Sequence, residues 1–378
     1  MSKNLLTRKT ILLISPDFWG INFNSKHHYA INLADRKNKV YFLNPPTKNN
    51  KLEKIQDNLW LINYKSLVRG LRFMPVYISG IFVDMEIKML EKRYKIKFDI
   101  IWNFDTSRFF NLSHIKDKLK IAHIVDWSEN FNRKILSKST DVNLCTSRFL
   151  ESELRKNNQH SYNIGHGYSP SSYKLTYSEK ERLRDGYLIK AGYVGNLMIK
   201  YLDWKIFYNL IKKNSTIGFY FLGPVGKSNL SSTVIQDKFY YEVRNLENAI
   251  FLDEIPSKKI PAYLKNFDIL LLIYEDKGHS KQLANPHKVL EYLASGRVML
   301  SSFVDEYSRK DGLIEMVEKN IEFQKKFEEI LLNLEFYNSK NLTNKREHFA
   351  LKNTYSKKIR EIESIIENTF KRFNLDKY

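Results

Sequence analysis

The chain has 378 residues, 43% hydrophobic and 14% aromatic, with a formal net charge of +20. That composition excludes a disordered chain, and the length points to two or three domains. The one cysteine, Cys145, excludes an intramolecular disulfide and a cysteine-built zinc site, and it fits a reduced, cytoplasmic setting.

The positive charge is uneven: residues 1–170 hold 28 Lys and Arg against 15 Asp and Glu. An excess of this sign points to an anionic partner: nucleic acid, an anionic membrane face or a phosphorylated substrate. Abundant Lys, Asn and Ile also fit an AT-rich genome, which raises lysine without any function. The apolar run at 11–14 is too short for a signal sequence, and no run of about eighteen apolar residues is expected to span a membrane.

Residues 11–15 are continuously apolar, the pattern of a central parallel strand buried on both faces. Pro16, Asp17, Phe18, Trp19 and Gly20 end it. His27 and His28 lead into a helix over 29–34. Residues 40–43 are the next strand, stopped by Asn44, Pro45 and Pro46. Strand, helix and strand in this order imply a right-handed parallel crossover. No Gly-x-Gly-x-x-Gly follows the first strand, which argues against a dinucleotide site.

Residues 58–64 are a further candidate strand. Residues 65–77 mix Lys65, Arg69 and Arg72 with Leu67, Val68, Leu71, Phe73, Met74 and Tyr77. Two readings fit: a segment lying at a membrane interface, or a core helix with three exposed cations. A helix over 78–94 and a strand over 99–102 follow.

The strand expected over 119–125 ends at Asp126, followed by Trp127, Ser128 and Glu129. In open α/β sheets the ligand lies outside the carboxyl ends of the strands, so Asp126 stands where a catalytic carboxylate belongs. Its other reading is a cap for a helix starting near Ser128. His123, inside the strand, is expected to pack. A strand over 141–145, a helix capped by Thr146 and Ser147, and a short strand over 162–164 come next. Gly165 and Gly167 flank His166 and allow close backbone approach. His166 is either a ligand contact or an ordinary loop histidine. The polar stretch 169–186 is the best domain boundary.

The second half opens with a strand over 188–194 and a turn at Gly195, Asn196 and Leu197. A helix over 203–212 and a strand over 217–222 lead to Gly223, Pro224, Val225 and Gly226. Glycine-rich turns after the first two strands suit a phosphorylated ligand, with Lys200 among the lysines in reach. A strand over 249–252 and a helix over 256–265, with Ser257 as cap, follow. The most apolar strand, 268–273, leads into a polar loop over 274–284. Helices are expected from 302 to about 333. A last helical region over 344–372 carries Tyr355, Ile359, Ile362, Ile365 and Ile366 on one packed face.

Residues 285–302 form the most informative stretch. Pro286 suits a first helical position. Val289, Leu290, Leu293 and Ala294 recur at helical spacing, and Lys288 and Glu291, three apart, share a side. Gly296 suits a left-handed helix stop, and 298–300 is a buried strand. A lysine and a glutamate at the start of such a helix suit a sugar nucleotide. The helix end and lysine hold the diphosphate, and the glutamate accepts from ribose hydroxyls. The plain alternative is an amphipathic unit with a solvated Lys–Glu pair.

The run Asn-Pro-x-Lys before Glu-Tyr-Leu-Ala-x-Gly resembles the nucleotide-sugar site of GT-B glycosyltransferases of the bacterial cell-surface polysaccharide type. In many retaining members two glutamates stand eight apart. The second matches Glu291, whereas the first falls on Leu283, which is not an acid. The order strand, Trp-containing loop, His, helix, strand, Asn-Pro-Pro resembles the acceptor-side domain of some of these enzymes.

The resemblance implies an α/β chain of two Rossmann-like parallel-sheet domains facing a cleft, with a C-terminal helix crossing back to the first domain. Residues 1–170 would be the acceptor domain, 187–345 the nucleotide-sugar domain and 346–378 the crossing helix. The donor residues would be Gly195, Asn196, Lys200, Asn285, Pro286, His287, Lys288 and Glu291. Trp19, His27, His28 and His166 would face the acceptor. Lys288 would stabilise the leaving diphosphate, and Asp126 would be the base if the reaction inverts the anomeric centre. No metal and no cofactor are implied beyond the nucleotide-sugar co-substrate. The implied acceptor is a glycan, lipid-linked or membrane-proximal, in surface polysaccharide assembly. The basic first domain would lie on the anionic inner face of the cell membrane.

Two other classes compete. A GT-B-type epimerase needs several acids and histidines around one sugar, and here they are scattered; a phosphorylase is usually far longer. A nucleic-acid-binding protein would suit the charge. However, no basic recognition helix, zinc spacing or RNP-like aromatic run is present, so no nucleic-acid partner is expected.

Overall fold

A computed structural model describes residues 5–20, 23–126, 132–170, 183, 186–224, 237–252, 255, 259–276 and 284–372. The chain divides into two compact units, one of Met1–Gly167 with Tyr355–Tyr378 and the other of Tyr168–Thr354.

Among the described residues the first unit is built on eight strands: β1 (Thr10–Ile14), β2 (Lys39–Leu43), β3 (Lys51–Gln56), β4 (Leu59–Asn63), β5 (Ile100–Asn103), β6 (Leu119–Ile124), β7 (Val142–Cys145) and β8 (Ser161–Asn163). Their order is β3-β4-β2-β1-β5-β6-β7-β8. All neighbours are parallel except β3 and β4, an antiparallel hairpin at the edge. The strand β3 leaves no apolar pattern in the sequence because it buries no face. Its Lys51, Glu53 and Lys54 are edge charges that discourage pairing with another chain.

The apolar runs of the central strands are continuous because both faces of the sheet are covered. Ile11, Leu13, Val40, Phe42, Ile100, Trp102 and Ile121 point to one core. Leu12, Ile14, Leu43, Ile101, Ala122 and Ile124 point to the other. This is the period of two expected of a strand, doubled by two apolar layers. The first face is covered by α1 (Ser25–Asp35) and by the chain's last helix, α12 (Tyr355–Arg372). The second is covered by α2 (Val76–Tyr94), α3 (Arg133–Ser139) and α4 (Arg148–Arg155).

The C-terminal region is two helices, not one. The first, α11 (Lys340–Lys352), ends at Asn353 and belongs to the second unit, whereas α12 belongs to the first. At the break the Tyr168 N–H donates to Asn353 O (2.8 Å), and Tyr168 bridges to Thr354. The outgoing and returning chains thus pair where they change unit. Tyr355, Ile359, Ile362 and Ile366, at spacings of four and three, are fully buried against the sheet. Gly167 is required here, since a Cβ on it would stand 2.3 Å from the Tyr355 ring.

Among the described residues the second unit has six parallel strands: β9 (Ile189–Val194), β10 (Ile217–Leu222), β11 (Ala249–Leu252), β12 (Ile269–Leu272), β13 (Val298–Ser302) and β14 (Glu315–Val317). Their order is β11-β10-β9-β12-β13-β14. The chain runs outward from β9 to β11 and then returns to the other side of β9. The strand order therefore reverses between β9 and β12, the place where α/β sheets hold ligands. The strand β14 lies where only helices were expected; three residues long, it offers no periodicity to read.

The helices of this unit are α5 (Trp204–Lys213), α6 (Lys238–Arg244), α7 (Ile260–Leu264), α8 (Lys288–Ala294), α9 (Phe323–Leu332), α10 (Leu334–Tyr337) and α11. Gly296 ends α8 at φ +77°, in the left-handed region. The buried Arg346 of α11 donates to the carbonyls of Gly296 (3.1 Å), Tyr337 (2.8 Å) and Leu313 (3.3 Å), which fixes the α8–β13 corner. Among the described residues no helix is long and apolar enough to cross a membrane. Trp127, Ser128, Glu129, Val225, Gly226, Ser257 and Leu283, which entered the sequence reading, lie outside the described residues.

Candidate functional site

The helix α8 begins two residues later than the proline rule predicts. Pro286 lies in the preceding turn, with the Val289 N–H on its carbonyl (3.2 Å), and His287 is the N-cap. Lys288 is therefore the first helical residue. Its buried neighbours Val289, Leu290, Tyr292 and Leu293 seat the helix on the sheet.

Lys288 points to the exit of β9. Its Nζ donates to Tyr193 Oη (2.8 Å) and lies 4.4 Å from the centroid of that ring and 5.9 Å from that of Tyr274. One turn on, Tyr292 Oη accepts from the Val194 N–H (2.7 Å) and lies 3.2 Å from Val194 O. Two residues of α8 thus clamp two consecutive residues of β9.

Gly195 makes the close approach possible. It has φ +148°, and a Cβ there would stand 2.0 Å from Lys288 Nζ. The ammonium occupies the space a side chain would need. Gly223, at the end of β10, also has φ +148°, and a Cβ on it would stand 2.0 Å from Gly195 O. The Gly195 N–H donates to Leu222 O (2.8 Å), and the Leu197 N–H to Pro224 O (3.3 Å). Asn196 closes the turn by accepting the Met198 N–H on Oδ1 (2.8 Å).

Burial pushes the Lys288 ammonium down to about 7, with the charge of Glu291 pulling the other way. Among the described residues no carboxylate forms an ion pair with it. The same burial raises the Tyr193 and Tyr274 hydroxyls far above their ordinary range, so both stay neutral. The result is a cation with a soft proton, walled by two phenols and a glycine turn, at the strand ends where the sheet order reverses. Glu291 is half-buried on the same helix. Lys200 is exposed at the far end of the turn and does not join this group.

One part of the site had no signal in the sequence. Asn320 is buried and ties the exit of β12 to its neighbours. Its Nδ2 donates to Tyr274 O (2.7 Å) and Asp203 Oδ2 (2.8 Å), and its N–H donates to Asp276 Oδ2 (3.2 Å). Ser302 Oγ, which accepts the Tyr274 N–H (3.0 Å), completes the knot at 2.8 Å from Asn320 Oδ1. This network holds Tyr274 against Lys288.

The first-unit candidates are of several kinds. His27 is buried in the α1 cap: Nδ1 faces the Asn24 N–H (3.2 Å) and Nε2 faces Phe18 O (3.3 Å). Its ring packs between Phe23 and Phe42, with Trp19 edge-on at 5.1 Å. Burial lowers its pKa to about 4, so it is neutral at pH 7. His28 is half-buried and stacks on Tyr355 (4.8 Å). His166 is buried near His123, which itself stacks on Phe104 (4.5 Å) and is pushed down to about 3 by burial and by the charge of His166. Asp126 is exposed two residues beyond the carboxyl end of β6. Among the described residues no group of three His, Cys, Asp or Glu is placed to hold a metal ion.

Two units, each an α/β layer on a parallel-dominated sheet, with the last helix returned to the first, define the GT-B fold, and this chain has it. Its likeness to solved structures extends over nearly the whole length. Sucrose-phosphate synthase from Thermosynechococcus elongatus matches with a TM-score of 0.70 at 12% identity, covering 97% of this chain and 100% of the other. The α,α-trehalose 6-phosphate synthase from Burkholderia multivorans matches with a TM-score of 0.69 at 10% identity, covering 97% and 100%. HepE from Anabaena, in complex with UDP-glucose, matches with a TM-score of 0.65 at 11% identity, covering 95% and 100%. No protein-family model and no curated protein matches the sequence.

Proposed function

We propose that the chain is a glycosyltransferase that takes a nucleotide-sugar donor in its second unit. The observation that carries this reading is the Lys288 ammonium lodged against Gly195 at the β9–β12 switch point. A cation that no carboxylate of the described residues pairs with, beside glycine turns, suits a diphosphate. HepE, of the same fold, is in complex with UDP-glucose, a donor of this class.

In this reading Lys288 binds the diphosphate and stabilises the charge that develops as it leaves, so no metal is invoked. Gly195 and Asn196 bring backbone to the phosphates. Asn285, Pro286 and His287 border the diphosphate, and Glu291 accepts from the ribose hydroxyls. Lys200 closes on the donor only if its turn moves. The acceptor belongs to the first unit, with Asp126 as the base if the anomeric centre inverts, and with Trp19, His28 and His166 on the acceptor side. His27 serves that side by fixing the α1 start, not by touching sugar. We further propose an acceptor that is lipid-linked or membrane-proximal, in the assembly of a surface polysaccharide.

The test is binding of a panel of nucleotide sugars, read by thermal shift and titration calorimetry. The best donor should raise the unfolding temperature in proportion to its affinity. Lys288→Met should weaken that donor by about 10- to 100-fold, the worth of a charge-assisted contact. Unchanged affinity in the variant would remove Lys288 from the site.

A further inference from the structure

The helix α2 has two apolar faces. One buries Val83, Ile87 and Leu90 in the first-unit core. On the other, Tyr77, Ile81 and Met85 succeed one another at intervals of four and stand exposed, Tyr77 at 79%. A surface helix normally carries polar residues there. Leu67, Phe73 and Val76, in and just after the preceding loop, are exposed as well, Phe73 at 76%.

This surface is held in shape. The buried Glu86 of α2 accepts from the Leu67 N–H (2.9 Å) and from Ser66 Oγ (2.9 Å), which ties the loop to the helix. Leu71 is buried below the short turn of Leu71–Phe73 and anchors it. Phe73 stands out from this turn, with the Arg72 guanidinium 4.6 Å over its ring.

The charge of the loop has one sign, and the nearest acid on the outer part of α2, Asp84, is paired with Lys88 (2.7 Å). No Asp or Glu occurs between Asp57 and Asp84. Lys65, Arg69 and Arg72 are exposed, and among the described residues none of the three makes an ion pair. A second copy seated on this surface about a two-fold axis would set these cations against their own counterparts. An acyl layer under anionic headgroups satisfies both halves: the apolar side chains enter the layer and the cations meet the phosphates.

We propose that this surface, formed by the loop at 65–75 and the outer face of α2, docks the protein on an anionic lipid membrane. Phe73, Tyr77, Ile81 and Met85 insert at the headgroup boundary, and Lys65, Arg69 and Arg72 contact the anionic headgroups. The proposal deepens the reading of a membrane-proximal acceptor and rests on it for its biological sense, though not for its test.

The test is co-sedimentation of the full chain with vesicles of phosphatidylcholine alone and of phosphatidylcholine with phosphatidylglycerol, at low and high salt. Wild type should bind the anionic vesicles and be released by salt. Lys65→Gln/Arg69→Gln/Arg72→Gln should weaken binding by about 100-fold, at roughly fivefold per cation. Phe73→Ser/Tyr77→Ser/Ile81→Ser should lose binding even at low salt, with its thermal unfolding unchanged because the three side chains are exposed. Wild-type-like binding by the serine variant, or failure of wild type to bind at low salt, overturns the proposal. So does a concentration-dependent dimer that the serine variant abolishes without any vesicle binding. Donor affinity is measured in parallel on all three proteins. Its absence with docking intact strikes the transferase reading alone, and its presence without docking strikes this proposal alone.

Discussion

The soft proton of Lys288 makes donor binding depend on pH in a defined direction. In the free protein its pKa is about 7, and a diphosphate beside it restores the ammonium to the ordinary lysine range. Binding therefore takes up a fraction of a proton that grows as the pH rises through 7. Affinity should be greatest below pH 7 and fall above it, towards tenfold per unit. At pH 6.5 about three quarters of the free lysines are charged, and at pH 8.5 about 3%, which predicts an affinity loss of about 20-fold. Titration calorimetry with the best nucleotide sugar, in buffers of different ionisation enthalpy, reads affinity and proton uptake together. Uptake should rise from about a quarter of a proton at pH 6.5 to about one at pH 8.5. The Lys288→Met protein should show neither trend. A flat affinity with no proton uptake in wild type would refute the argument, because it would mean that the buried cation never meets the phosphates.

Three further outcomes follow from the geometry. Gly195→Ala forces an unfavourable φ and drives a Cβ into Lys288 Nζ; it should cost about 1–3 kcal/mol in urea unfolding and abolish the pH dependence of donor binding. His27 is neutral and buried when folded, at about 4, but titrates near 6.5 when unfolded, so the unfolded chain binds more protons between those values. Its contribution, roughly 3 kcal/mol, is present above pH 6.5 and lost as the pH falls to 4, and His27→Gln should flatten the acid limb of the stability curve by up to about 1.4 kcal/mol per unit. If the anomeric centre inverts, Asp126→Asn should lower turnover by about 100-fold or more while leaving donor affinity unchanged; normal turnover with an inverted product would leave Asp126 as a surface residue.

The layered α/β plan was legible because its central strands, such as 11–14 and 269–272, are apolar at every position. Only strands buried on both faces have that pattern. The same rule explains the misses. The strand β3 buries neither face, and β14 is too short to have a period. The last helical region read as one piece because the break at Asn353 and Thr354 contains neither glycine nor proline; the stop is made by tertiary pairing with Tyr168. In the candidate site, the Lys288 helix start and the Gly195 turn were singled out from local chemistry, and the structure brings those two together. Tyr193 was not, since its position in β9 looked like plain strand filling, and Asn320 lies more than a hundred residues from the Asp203 it holds. Contacts between distant segments leave no periodic trace.

The placement of Tyr355–Tyr378 in the first unit has a consequence for synthesis. The second unit is an insertion, complete in sequence before the final helix leaves the ribosome. It can close early, while the first unit waits with Tyr29, Leu33 and the strand face around Trp102 uncovered until α12 arrives. A chain stopped before α12 would therefore carry one finished half and one with an open apolar face, a natural substrate for chaperones and proteases.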